Sequence, residues 1–212
     1  MKKVIYTIGH SNVTHEEFME LIKKNNIDCV VDVRSVPYSG SQYANQFNKD
    51  AIRHLLLSNN IQYVFMGKEL GARREDKDLY DENGKLDFLK TMESPLFLEG
   101  ISRVIKGIEK GYSLAIMCSE KNPLECHRLS MVSRKFHDLG FAIEHILHDG
   151  TKKSQEELED DLINKYFPNR KQIAMEFAND GHTENRETLI DDAYKKHNLE
   201  VAYSIEEIGG KK

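Results

Sequence analysis

The chain has 212 residues, and its 39% hydrophobic and 31% charged content is that of a globular protein with one core of ordinary size. A net charge of −5 gives no overall basic footprint for nucleic acid, and the acidic excess lies mainly in residues 151–212, which carry 10 basic and 14 acidic groups against 20 and 21 in residues 1–150. The start, MKKVIYTIGH, has no long apolar region and no small-residue cleavage site, no run approaches the ~20 apolar residues of a membrane span, and the three cysteines are an odd number, so a cytoplasmic protein with free thiols and no membrane partner is expected.

In chain order, KVIYTIG (3–9) reads as a buried strand ended by Gly9. A helix follows, with Thr14 and Glu17 in capping-box spacing and Phe18, Leu21 and Ile22 on one face. DCVVDV (28–33) is a second strand, and residues 34–47 form a polar loop with Pro37 and Gly40. Asn48 opens a helix to about Asn60, IQYVFM (61–66) is a third strand, and 67–85 is irregular. One or two helices fill 86–110 before Gly111, and YSLAIM (112–117) is the fourth strand. A helix begins somewhere in 122–128 and ends at Leu139 before Gly140, AIEHIL (142–147) is the fifth strand, and 154–167 is a capped helix.

Strand followed by helix, repeated, means an α/β fold with a mostly parallel sheet of about five strands. Strand order is not given by periodicity. Residues 1–167 form the α/β domain; 168–212 read as an acidic, partly helical C-terminal extension, with a short exposed helix over NRETLIDDAYKKHN and a mobile GGKK end.

Ligands bind at the carboxyl ends of parallel strands. Three dense loops leave such ends: Gly9-His10-Ser11-Asn12, the Asp32–Ser39 stretch with Arg34, and CSEKNPLECHR (118–128). Their convergence on one edge is the main argument for a site. The plainer readings are that His10 caps a helix, that Asp32 and Arg34 pair to fix a loop, that Cys29 is core, and that the charges of 68–78 form a solvated surface.

Three mechanisms fit the 118–128 stretch. Cys126 or Cys118 could be a nucleophile, with Cys126 near a helix start and Arg128. Helix-start amides with Arg128, Arg34 and His10 could hold an anion. Cys118, Cys126, His127 and His10 are zinc-ligand types, but C-x7-C-H lacks the close pairing of structural zinc sites, so no metal is assigned and the cofactor stays unknown. If the helix begins at Asn122-Pro123, Cys126 lies a turn inside it and Cys118 or Glu120 becomes the better reactive group.

TIGHSN (7–12), DVRSVPYS (32–39), Leu70-Gly71, CSEKNPLECHR (118–128) and HILHDG (145–150) together resemble the domain-of-unknown-function 488 family. The resemblance covers roughly residues 3–165 and implies a Rossmann-like three-layer α/β sandwich, with no assigned reaction. Where the family usually has a second glycine after Leu-Gly, this chain has Ala72.

The leading expectation is an enzyme on a small anionic substrate, a nucleotide or a nucleic-acid end. His10, Glu120, Cys118, Cys126 and His127 are the catalytic candidates; Ser11, Asp32, Arg34, Ser39 and Arg128 are the substrate-binding ones. The alternative is a non-catalytic nucleotide or nucleic-acid binding module using the same edge. A homo-oligomer is left open.

Overall fold

The apolar, β-branched runs form the sheet. In a computed structural model, which describes residues 3–39, 45–168 and 185–206, β1 (Val4–Gly9), β2 (Cys29–Asp32), β3 (Gln62–Phe65), β4 (Leu114–Cys118) and β5 (Ala142–Ile146) are parallel. Their order is β3-β2-β4-β1-β5. A sixth strand, β6 (Lys152–Ser154), pairs antiparallel with β5 at the edge. It is too short and too polar to be visible as an apolar run.

Side chains alternate between the faces of a strand, and here each face buries its own helices. On one side Val30, Ala115 and Met117 pack against Phe18 and Ile22 of α1 (His15–Lys24) and Ile52 and Leu56 of α2 (Lys49–Ser58). On the other, Val31, Ile116 and Cys118 face Leu70 of α3 (Gly67–Leu70), Met92 of α4 (Phe88–Glu93), Ile101 of α5 (Pro95–Glu109) and Phe136 of α6 (Arg134–Asp138). The result is a three-layer α/β sandwich. Among the described residues no helix is long and apolar enough to cross a membrane.

The 119–139 region settles how the chain enters its helix. Asn122 caps a single 3-10 turn, Pro123–Glu125, and the chain straightens at Cys126 (φ −139°, ψ 137°). Helical structure then runs from Arg128, first as a π-helical stretch to Ser133 and then as α6. Cys126 therefore stands just before a helix, not a turn inside one.

The C-terminal region differs from an exposed short helix. α7 (Gln155–Tyr166) and α8 (Arg186–Val201) pack together around Leu129, burying Leu158, Leu162, Ile190, Ala193 and Tyr194. His197 is also buried; its Nδ1 pairs with the Ser130 hydroxyl and its Nε2 lies 2.8 Å from the Leu124 carbonyl. The chain then returns to the core, where Leu86 N–H donates to the Tyr203 carbonyl at 3.1 Å. The GGKK end and residues 40–44 of the polar loop lie outside the described residues.

Candidate active site

The loops after β1, β2 and β4 share one edge. Gly9 is in register with Cys118 and Asp32 with Met117. The β1–β4 ladder runs past the strand ends: His10 N–H donates to the Cys118 carbonyl at 3.0 Å and Ser11 N–H to that of Ser119 at 2.7 Å. Ser11 completes the turn with a left-handed backbone (φ 47°), a costly conformation for a residue with a side chain. The neighbouring strands β1 and β4 send their chains to helices on opposite faces, which is where crevices open in such sheets.

That divergence splits the candidate residues into two groups. Asp32, Arg34 and His10 lie with α1 and α2. The Arg34 guanidinium donates to both Asp32 oxygens, from Nε at 2.9 Å and Nη2 at 2.6 Å, and from Nη1 to the Phe47 carbonyl at 2.8 Å. Its Nη1 also meets His10 Nε2 at 2.9 Å, while His10 Nδ1 lies 2.7 Å from the Ser11 carbonyl. These partners fix the tautomer: Nδ1 carries the proton and Nε2 accepts from Arg34. Burial first, and then the Arg34 charge, lower the His10 pKa to about 4. The ring stacks on Phe47 at 4.3 Å, and the Tyr63 hydroxyl donates to Asp32 Oδ2 at 2.7 Å. This lattice is closed on itself, and Arg34 directs four of its five donor hydrogens inward.

The second group lies on the opposite face, under the 119–125 turn. Both thiols converge on one carboxylate oxygen: Cys118 Sγ is 2.9 Å and Cys126 Sγ 3.1 Å from Glu120 Oε2. His127 Nδ1 lies 3.8 Å from Cys118 Sγ and 3.9 Å from Cys126 Sγ. Both sulfurs and His127 are buried, and Glu120 is half-buried. Cys118, Cys126 and Cys29 are free thiols, and Cys29 is part of the core below.

The two central thiols differ. The hydrogen bond with Cys126, and then burial, push the Cys118 thiol well above its ordinary pKa. Burial also pushes Cys126 up, but the Cys118 hydrogen bond and the Arg128 and His127 charges outweigh it and leave Cys126 well below the ordinary range. Burial and the neighbouring Cys126 raise Glu120.

Arg128 is fully buried. It holds the turn: Nη1 donates to the Glu120 carbonyl at 2.6 Å and Nη2 to that of Lys121 at 3.1 Å. Its main-chain N–H points at Cys126 Sγ, 3.5 Å away. It forms no ion pair with Asp32 or Glu120 among the described residues.

Ser39 anchors the β2 loop, its N–H donating to Asn48 Oδ1 at 2.6 Å. Sequence reasoning passed over Phe47 and Tyr63, which complete the Arg34 lattice, and over Tyr203, and read Arg73 as part of a solvated surface. The Arg73 guanidinium lies 4.4 Å from the Tyr203 ring centroid. The Tyr203 phenol is raised by burial and then by Glu120, and drawn back by Arg73. Ala72 is buried, and its φ is outside the left-handed region, so the backbone there does not require glycine. A separate cleft between α4 and α8, lined by Asp87, Ser130, Tyr194 and Asn198 among others, contains none of the ten candidates.

Fold and site define a three-layer α/β protein with a thiol and carboxylate centre at the carboxyl edge of its sheet. The family described as "Domain of unknown function DUF488" matches residues 14–134, and the chain belongs to that family. The matched span includes Asp32, Arg34, Ser39 and all of 118–128, and excludes His10, Ser11 and Tyr203. No curated protein and no solved structure matches the chain.

Proposed function

We propose that the protein is an enzyme acting on a small anionic substrate, a nucleotide or a nucleic-acid end, at this edge. The observation that carries the reading is the convergence of Cys118 and Cys126 on Glu120 Oε2, at 2.9 and 3.1 Å, with the carboxyl half-buried. A carboxyl so placed can exchange a proton with a substrate atom on its open side while the sulfurs orient it from below. Arg73, half-buried against Tyr203, is the cation a substrate anion meets there. Tyr38, 56% exposed on the loop after β2, offers a ring face to a base. Arg34, Asp32 and His10, bonded to one another and to backbone carbonyls, and Arg128, whose Nη1 and Nη2 hold two carbonyls, act as the frame.

The test is turnover. Nucleoside mono-, di- and triphosphates and end-phosphorylated oligonucleotides are incubated with the protein and followed by phosphorus NMR and chromatography. The wild type is expected to convert a member of the panel, and Glu120→Gln to do so at least ~100-fold more slowly, the usual scale for a lost acid–base group. A ligand bound by both proteins and recovered unchanged would replace the enzyme with a non-catalytic binding module.

A further inference from the structure

We infer that Cys118, Cys126, His127 and Glu120 form a binding site for one divalent metal ion of the zinc class. Sequence spacing sets this aside because the cysteines are seven residues apart. The fold supplies the pairing: β4 ends at Cys118, the 119–125 turn doubles back, and Cys126 returns beside it. The two sulfurs and a His127 nitrogen all lie within 4.8 Å of one another. Two thiolates, one imidazole and one carboxylate form a donor set suited to a borderline-soft ion such as Zn²⁺.

The distances fit. Sulfur at ~2.3 Å and nitrogen at ~2.0–2.1 Å from a tetrahedral ion stand roughly 3.6 Å apart. His127 Nδ1 is 3.8 and 3.9 Å from the two sulfurs, so these three donors need move only slightly. Glu120 Oε2, at 2.9 and 3.1 Å, stands closer to the sulfurs than two ligands of one ion do and lies outside the group they form with His127, so it has to shift to become the fourth donor, as a half-buried side chain can. Glu120 is therefore the exchangeable donor and the two sulfurs and His127 the fixed ones.

Charge gives a second, independent argument. Arg128 is a fully buried cation whose guanidinium meets only carbonyls, with no acidic partner among the described residues. Buried charges are ordinarily compensated. Two thiolates, one carboxylate and one divalent ion sum to −1, which Arg128 neutralises. Without an ion, Glu120 Oε2 is the shared acceptor for both thiols, and His127 Nδ1 makes only long contacts of 3.8 and 3.9 Å to the two sulfurs. A cation at the centre gives all four donors a partner.

Binding rests on these donors alone; only a part for the ion in turnover rests on the proposed function. Reduced, tag-free, full-length protein is loaded with Zn²⁺ or Co²⁺ and passed through a desalting column. The expected result is about one equivalent of zinc per chain by mass spectrometry, since four donors hold one ion. The cobalt form should show thiolate-to-metal charge transfer in the near ultraviolet and the intense visible bands of a tetrahedral ion. Cys126→Ser should lose much of the charge-transfer band. Should that variant not fold, Glu120→Gln, which changes only the half-buried donor, should keep the band and bind at least ~10-fold more weakly. Wild type retaining less than about a tenth of an equivalent of either ion, or holding cobalt without a thiolate band, would overturn the site. Protein that excludes both ions yet converts substrate would also overturn it and leave the enzyme reading standing. Protein that holds zinc through both sulfurs and converts nothing would support the site while the enzyme reading fails.

Discussion

Gly9 and Glu120 meet backbone to backbone: a Cβ built on Gly9 would stand 1.8 Å from the Glu120 carbonyl oxygen. That oxygen also accepts from Arg128 Nη1 at 2.6 Å, so the first strand and the 119–125 turn are held against each other with no room for a methyl group. Gly9→Ala is expected to lower folding stability by more than about 2 kcal/mol, because the obstacle is backbone and cannot rotate away. Urea denaturation measures it. An unchanged midpoint would mean that the turn can swing off the strand.

Arg128→Lys separates a frame from a ligand group. The guanidinium holds two carbonyls at once, and an ammonium on a flexible stem does not copy that fork. The variant should fold with stability lower by about 1–3 kcal/mol. Full stability with lost phosphate or nucleotide affinity would return Arg128 to the substrate-binding role expected from the sequence.

His145 sets part of the acid sensitivity. Its Nε2 lies 2.9 Å from Gln155 Oε1 and its Nδ1 2.8 Å from the Thr7 hydroxyl, deep in the protein. Burial, and then the Arg128 charge, lower its pKa from 6.5 to about 3. The unfolded chain takes up this proton as pH falls below 6.5, while the folded chain resists until about 3. Its contribution is therefore fully present above pH 6.5 and lost as pH falls through that window, at up to ~1.4 kcal/mol per pH unit. His145→Gln should be less stable than wild type at pH 7 and lose less stability between pH 7 and 4. Parallel pH profiles for the two proteins would contradict this.

Truncation after residue 168 should be costly. It removes Ile190, Ala193 and Tyr194 from the cluster with α7, and leaves Glu159 Oε1 without the Tyr194 hydroxyl 2.9 Å away. A loss larger than the roughly 1.5–3 kcal/mol of one buried side chain is expected in thermal or urea unfolding. A truncated chain melting with the full-length protein would show that residues 168–212 are the separable extension their composition suggests.

The limits of sequence reading here have physical causes. Strands β1, β2, β4 and β5 were visible because strands buried on both faces are apolar runs, and the ligand edge because polar loops follow those runs. β6, a short polar strand that meets β5 through backbone pairing and a Lys152–Glu144 ion pair, left no apolar trace. α8 buries residues at 190, 193, 194 and 197, a helical spacing, but His197 and the Tyr194 hydroxyl are buried only because Leu124 and Glu159 receive them. Composition cannot show such partners. For the same reason the sequence does not show that Arg34 reaches Asp32 and the Phe47 carbonyl, or that Arg128 Nη1 and Nη2 reach the Glu120 and Lys121 carbonyls. The pairing of Cys118 with Cys126 depends on the turn between them, and the sequence alone left open where the helix begins.

The most direct test of the carboxyl edge as the working face is a titration of isotope-labelled protein with a nucleoside phosphate, followed by amide NMR. The account predicts that the perturbed amides gather in residues 9–12, 35–39, 73 and 118–122. Perturbations confined to the cleft between α4 and α8, at Asp87, Ser130 and Asn198, would contradict it.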